Sequence, residues 1–200
     1  MVETPLISRR SLLVSAATGM VANAAANTAR LHVGCQTNAW NIDPNNMDSL
    51  LEVLGNVRSL RFEGFETGFR NLQAQFQNPQ PARERLQNSG LRFFGIHVFL
   101  SSYDPETSIA PRQLLKSVVD GGASLGAERL IVSGHSTPEA ARLTKKAAAL
   151  DRIARYSKEK GLKLGYHNHQ PEFQKNRFQI EALLKQTDAG LVHLIVDAGH

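Results

Sequence analysis

Leu162-Lys163-Leu164-Gly165-Tyr166-His167-Asn168-His169 is an apolar strand pattern that runs out into two imidazoles, with Glu172 close behind. The pattern returns in kind at Leu191-Val192-His193-Leu194-Ile195-Val196-Asp197-Ala198-Gly199-His200. Alternation through His167-Asn168-His169 turns both rings to one side of an extended chain. His169 and Asp197 are 28 positions apart, about one strand–helix unit, so parallel neighbours in a sheet bring the two clusters together. Imidazoles and carboxylates gathered where buried strands emerge are what a divalent-metal or acid/base site requires.

Working outward, the same alternation covers the rest of the chain. Strands are predicted at Leu31–Gln36, Leu60–Glu66, Leu91–Phe99, Arg129–Ser133, Leu162–His167 and Leu191–Asp197. Helical periodicity lies between them, at Met47–Val57, Pro81–Asn88, Pro111–Leu125, Pro138–Lys160 and Phe178–Gln186. Thr137 and Pro138 suit the start of the fourth helix, and Gly161 its end. Gly90 and Gly190 also stand just before strands, and Gly121-Gly122 reads as a turn or helix end. Strand–helix alternation means an α/β fold with a parallel sheet covered by helices. An open doubly wound sheet usually carries a glycine-rich phosphate loop after its first strand, whereas here Gln36-Thr37-Asn38-Ala39-Trp40 follows. A polar or aromatic residue recurs at nearly every strand end instead, as in the active-site rim of a (β/α)8 TIM barrel. Such a barrel takes eight strands and about 250 residues; only six strands are present in 200 residues. The expectation is therefore a C-terminally truncated barrel with about six of eight strand–helix units, spanning residues 30–200, rather than a six-stranded open sheet.

The first residues read differently. Ser8-Arg9-Arg10-Ser11-Leu12-Leu13, a weakly apolar run to Val21, and Ala22-Asn23-Ala24-Ala25-Ala26 have the layout of a twin-arginine export signal over residues 1–26. The expected location is the bacterial periplasm or the exterior, with no membrane partner once the signal is removed. Cys35 is the single cysteine, which excludes an intrachain disulfide; its strand setting favours a small core residue. The net charge of +5 comes from cations spread over helix faces, Lys145-Lys146 among them, read as a solvated surface. No basic patch interleaves with aromatics, so nucleic acid is not an expected partner.

The strings Gly165-Tyr166-His167-Asn168-His169-Gln170-Pro171-Glu172-Phe173 and Val196-Asp197-Ala198-Gly199-His200 resemble the sugar phosphate isomerase/epimerase family, within the xylose isomerase-like barrel superfamily. Arg61-Phe62-Glu63-Gly64-Phe65-Glu66 is similar to that family's second strand. The resemblance implies one divalent ion (Mn, Mg, Co or Zn) at the barrel mouth and isomerisation or epimerisation of a sugar through an enediolate. Dehydratases and lyases share that intermediate. Asp197 matches the family's strand-six aspartate; His167 stands where relatives carry a strand-five glutamate, a departure from the two-carboxylate pattern. The implied partner is a small carbohydrate, a free sugar or keto-sugar given the export signal. A homo-oligomer is left open by the apolar strand edges at Leu31 and Leu191.

The candidate site follows. Asp197, His167 and His169 are the expected metal ligands, with His167 and Glu172 the candidate proton-transfer groups. Trp40, Glu66, His97, His135 and His200 are the candidate sugar contacts, by hydrogen bonding or by an aromatic face. Two other readings stand beside this one: a non-catalytic or degenerate carbohydrate-binding barrel, and DNA repair by fold kinship alone.

Overall fold

Where each strand begins is set by how the preceding helix ends. The computed structural model describes residues 30–199, apart from the side chains of residues 175–177; the proposed signal at 1–26 and His200 lie outside the described residues. Among the described residues five helices are long enough to pack: α1 (Met47–Ser59), α2 (Pro79–Asn88), α3 (Arg112–Leu125), α4 (Ala140–Glu159) and α5 (Gln174–Gln186). The first four exit through one left-handed residue each: Arg61 (φ 64°), Gly90 (φ 72°), Gly126 (φ 90°) and Gly161 (φ 83°). That conformation turns the chain sharply off a helix end, and glycine adopts it without a Cβ clash.

Six strands follow the same rhythm: β1 (Gly34–Gln36), β2 (Gly64–Gly68), β3 (Arg92–Val98), β4 (Arg129–Val132), β5 (Lys163–His167) and β6 (Val192–Ile195). They form one sheet in the order β1-β2-β3-β4-β5-β6, every pair parallel. Successive helices pack on one another over one face of it. This is the strand order and alternation of a TIM barrel, carried through six strands. Leu50, Leu54, Phe65, Ile96, Leu130 and Leu164, each at most 1% exposed, lie in the apolar core. Cys35 is half-buried against that core. Among the described residues no helix is long and apolar enough to cross a membrane.

Several predicted boundaries move. Strand β2 starts four residues later than its apolar run, because Leu60 and Arg61 form the exit turn of α1. Helix α4 starts two residues after the predicted Pro138; Thr137, instead of capping it, is buried and its N–H is held by the Gln179 side chain. Gly121 and Gly122 are neither a turn nor a helix end. They lie inside α3, where a Cβ would drive into the Phe76 ring and come within 2.9 Å of Ile96 Cγ2. The missing side chains let α3 settle close to its neighbours.

The other sheet face is also built around glycine. A register shift in the β2–β3 ladder leaves Phe94 without a partner residue. Its ring lies where side chains on Gly34 and Gly64 would stand. A Cβ at Gly64 would be 2.6 Å from the Arg92 carbonyl oxygen and 2.6 Å from the ring, and backbone cannot rotate aside. Gly64→Ala is expected to cost about 1–3 kcal/mol, read as a lower urea midpoint with unchanged slope.

Candidate active site

Each strand sends one polar side chain from its C-terminal end toward a common ledge. Gln36 closes β1, Glu66 and His97 lie within β2 and β3, and Ser133 follows β4. His167 closes β5, and Asp197 stands two residues beyond β6. Side chains alternate along a strand, so parallel register fixes which residues share the ledge. Gln36 pairs with Glu66, Gly68 with His97 and His167 with Ile195.

The ledge is a connected polar chain. Gln36 Nε2 donates to Glu66 Oε1 at 2.8 Å, and His97 Nδ1 stands 3.2 Å from the same oxygen. On its other side, His97 Nε2 is 2.7 Å from Ser133 Oγ, with the ring only 4% exposed. The His97 and His167 ring centroids are 5.0 Å apart, those of His167 and His169 5.1 Å. His167 Nε2 then reaches Asp197 Oδ2 at 3.4 Å. Asn168, fully buried, fixes the last link: its Oδ1 accepts the Asp197 N–H at 3.0 Å and its Nδ2 donates to the Asp197 carbonyl at 3.2 Å. This two-way amide clamp ties the chain beyond β6 to the end of β5.

Electrostatics set two protonation states. Burial disfavours the charge on Glu66, but hydrogen bonds from His97 and Gln36, with the charges of His97 and His167, outweigh it and hold the carboxyl below its ordinary value of 4.5. An ionised Glu66 only accepts, so His97 Nδ1–H donates to it and Nε2 meets the Ser133 hydroxyl. For His167, burial is the main influence; it and the charges of His97 and His169 lower the pKa from 6.5 against the pull of Asp197 and Glu66. His167 is thus a neutral imidazole at pH 7, able to take up a proton. Because the native Glu66 pKa lies below the unfolded one, the unfolded chain binds more protons below about pH 4.5. The stability contributed by Glu66 is present above that pH and lost as pH falls through the native value. Glu66→Gln is expected to shrink the acid-side drop in the urea midpoint.

Beside the ledge lies an open cleft of about 380 Å3, walled by Phe99, Tyr103, His135, Ser136, His169 and Pro171 among others; among the described residues, no lysine, arginine or carboxylate side chain is part of its lining. Phe99 is 52% exposed, and its ring centroid is 6.2 Å from that of His169. The exposed His135 ring packs edge-on to Tyr103 at 4.7 Å.

Of the residues expected from sequence, Glu66, His97, His167 and Asp197 meet on the ledge, and His135 and His169 line the cleft. Trp40 is half-buried against the hydrophobic core. Glu172 is not placed for proton transfer to a substrate. It is 1% exposed, and its oxygens are taken by Lys146 Nζ (3.0 Å), the Tyr166 hydroxyl (2.5 Å) and the His169 N–H (2.9 Å). The metal trio does not assemble either: among the described residues no group of three or more His, Cys, Asp or Glu side chains is arranged to hold an ion. His167 pairs with Asp197, while His169 opens the next turn and faces the cleft. Gln36, Ser133 and Asn168 were missed. For Gln36, the signal available was strand parity with Glu66.

A family model of the xylose isomerase-like TIM barrel matches residues 54–200. The chain belongs to the xylose isomerase-like TIM barrel family. A 54-residue segment is 39% identical to an inosose dehydratase of Clostridium perfringens, covering 27% of this chain and 18% of that one. Among solved structures, a putative sugar phosphate isomerase/epimerase from Anabaena variabilis superposes with a TM-score of 0.63 at 22% identity, over 86% of this chain and 65% of that one. A D-allulose 3-epimerase from Methylomonas sp. superposes with a TM-score of 0.66 at 19% identity, over 82% and 62%. The chain thus spans less than two thirds of the length of both.

Proposed function

We propose that this chain is an exported enzyme of sugar isomerase/epimerase type, acting on a free sugar or keto-sugar through an enediolate. The observation that carries the reading is the meeting of a neutral His167, paired to Asp197, with the Glu66–His97 pair beside a cleft lined by aromatic, imidazole and hydroxyl groups. Such a cleft suits hydroxyls and the C–H face of a sugar.

The chemistry follows from the ledge. Removing a proton from the carbon beside a carbonyl needs a base that is unprotonated at working pH and held in one tautomer. Asp197, whose Oδ2 stands 3.4 Å from His167 Nε2, stabilises the imidazolium that forms when His167 takes up the proton. In this reading Glu66, the more exposed of its pair, accepts from a sugar hydroxyl, and His97, held between Glu66 and Ser133, orients that carboxylate instead of touching the sugar. Return of the proton to the opposite face of the same carbon gives an epimer, and to the neighbouring carbon an isomer. Loss of a β-hydroxyl from the same intermediate gives the dehydratase outcome, the activity named for the Clostridium relatives. A divalent ion, where bound, supplies counter-charge for the enediolate oxygens. In this reading it rests on the family resemblance, since the described residues make no metal centre by themselves.

The test is solvent exchange. With D-allulose, L-ribulose and an inosose as probes in deuterated buffer, with and without added Mn2+, proton NMR is expected to show deuterium entering beside the carbonyl of one of them. Sugar binding with no exchange in any probe favours the second reading, a carbohydrate-binding barrel.

A further inference from the structure

Lys146 is the charge in this fold with the least reason to be where it is. It lies on α4 in the spacing Leu143, Lys146, Ala147, Leu150, every member buried, and its own exposure is 0%. Burial pulls its pKa down, opposed by the charge and hydrogen bond of Glu172. Its Nζ donates to two acceptors: the His135 carbonyl oxygen at 2.9 Å and Glu172 Oε1 at 3.0 Å. The same Glu172 oxygen takes the Tyr166 hydroxyl, whose pKa burial and Glu172 raise well above 10, so that it stays a neutral donor. The other oxygen, Oε2, accepts the His169 N–H at 2.9 Å.

The pair is thus fastened at both ends to backbone. One end is the peptide of His135, after β4; the other is the peptide of His169, after β5. These two residues stand in the cleft wall. A well-packed apolar pair generally holds a core together as well as a buried ion pair, but it makes no hydrogen bonds to those two peptides. Burial is needed for the job: in a low dielectric the pair stays closed, and a closed pair fixes the distance between its attachment points.

We propose that the Lys146–Glu172 ion pair is the positioning device of the cleft, setting from beneath where His135 and His169 stand. The two are positioning residues; neither touches the ligand. The link to sugar specificity rests on the functional reading above, whereas the positioning itself does not.

The experiment compares the wild-type chain with Lys146→Met/Glu172→Leu, which removes both charges together. Long-range 1H–15N spectra of the histidine rings are recorded, with His32 and His193 as distant controls. In a variant that still melts cooperatively, the His135 and His169 rings are expected to shift or broaden while the controls stay in place. Unmoved His135 and His169 signals in a folded variant overturn the proposal. Should the variant not fold, the wild type decides. Its His169 amide is expected to exchange on the order of a hundredfold more slowly than in an unstructured peptide of the same sequence; exchange at the peptide rate overturns the proposal. Neither readout involves a sugar, so failure here is distinct from failure of the enzymatic assignment.

Discussion

Lys146→Met alone is expected to destabilise the protein by about 3–5 kcal/mol, a large part of the stability of a small domain. Methionine fits the volume and suits the helix, so neither cavity nor propensity is at issue. The damage falls on the partner. Glu172, 1% exposed, loses the cation 3.0 Å away while keeping the Tyr166 hydroxyl and the His169 N–H. Its carboxyl must then stay charged without a counter-ion or take up a proton, and either costs free energy. Urea unfolding of Lys146→Met, Glu172→Leu and the double variant completes a cycle. The double variant is expected to be more stable than Lys146→Met, because it leaves no lone charge behind. Equal stability of Lys146→Met and wild type would show that the pair is open in solution.

His167→Asn is the substitution expected to act most strongly on turnover, lowering it about 100- to 10,000-fold with little change in stability. The ring is half-buried between His97 and His169 and holds Asp197 Oδ2 at 3.4 Å. An asparagine amide keeps a donor toward Asp197 but cannot accept a carbon-bound proton. Deuterium entry into the responsive sugar is therefore expected to fall in parallel with product formation. In the wild type, the rate is expected to drop as pH falls through the His167 pKa, which lies below 6.5, because the protonated ring is no longer a base. Retained exchange in His167→Asn would move the base to another member of the ledge, Glu66 being next in line.

The sequence carried the strand–helix rhythm because burial on both faces leaves continuous apolar runs, and the order of elements follows from it. Glycine marked three of the four left-handed helix exits; Arg61 at the first had no such marker, so β2 was placed early. Glu66, His97, His167 and Asp197 were legible because a polar side chain ending an apolar strand is conspicuous. Ser133 and Gln36 are too ordinary to stand out, and Asn168 acts through backbone that only the fold brings near. Charge alone suggests a solvated Lys146, yet helical spacing already puts it in line with Leu143, Ala147 and Leu150; Glu172, a candidate proton-transfer group by its place behind the histidines, is its buried partner. His169 stands apart from the His167–Asp197 pair for another reason: same-side alternation ends where a strand does, and His169 begins a turn.

That six strands deliver one ledge residue apiece bears on how such a chain can diverge. Inserting or deleting a single residue upstream within any strand swaps its two faces, sending one of the six toward the helices and a core residue toward the ledge. Length changes are therefore tolerated only past the strand ends, in segments such as the one from Phe99 to Pro111. New specificities within this lineage should accumulate in those connections, while the spacing inside the strands stays frozen.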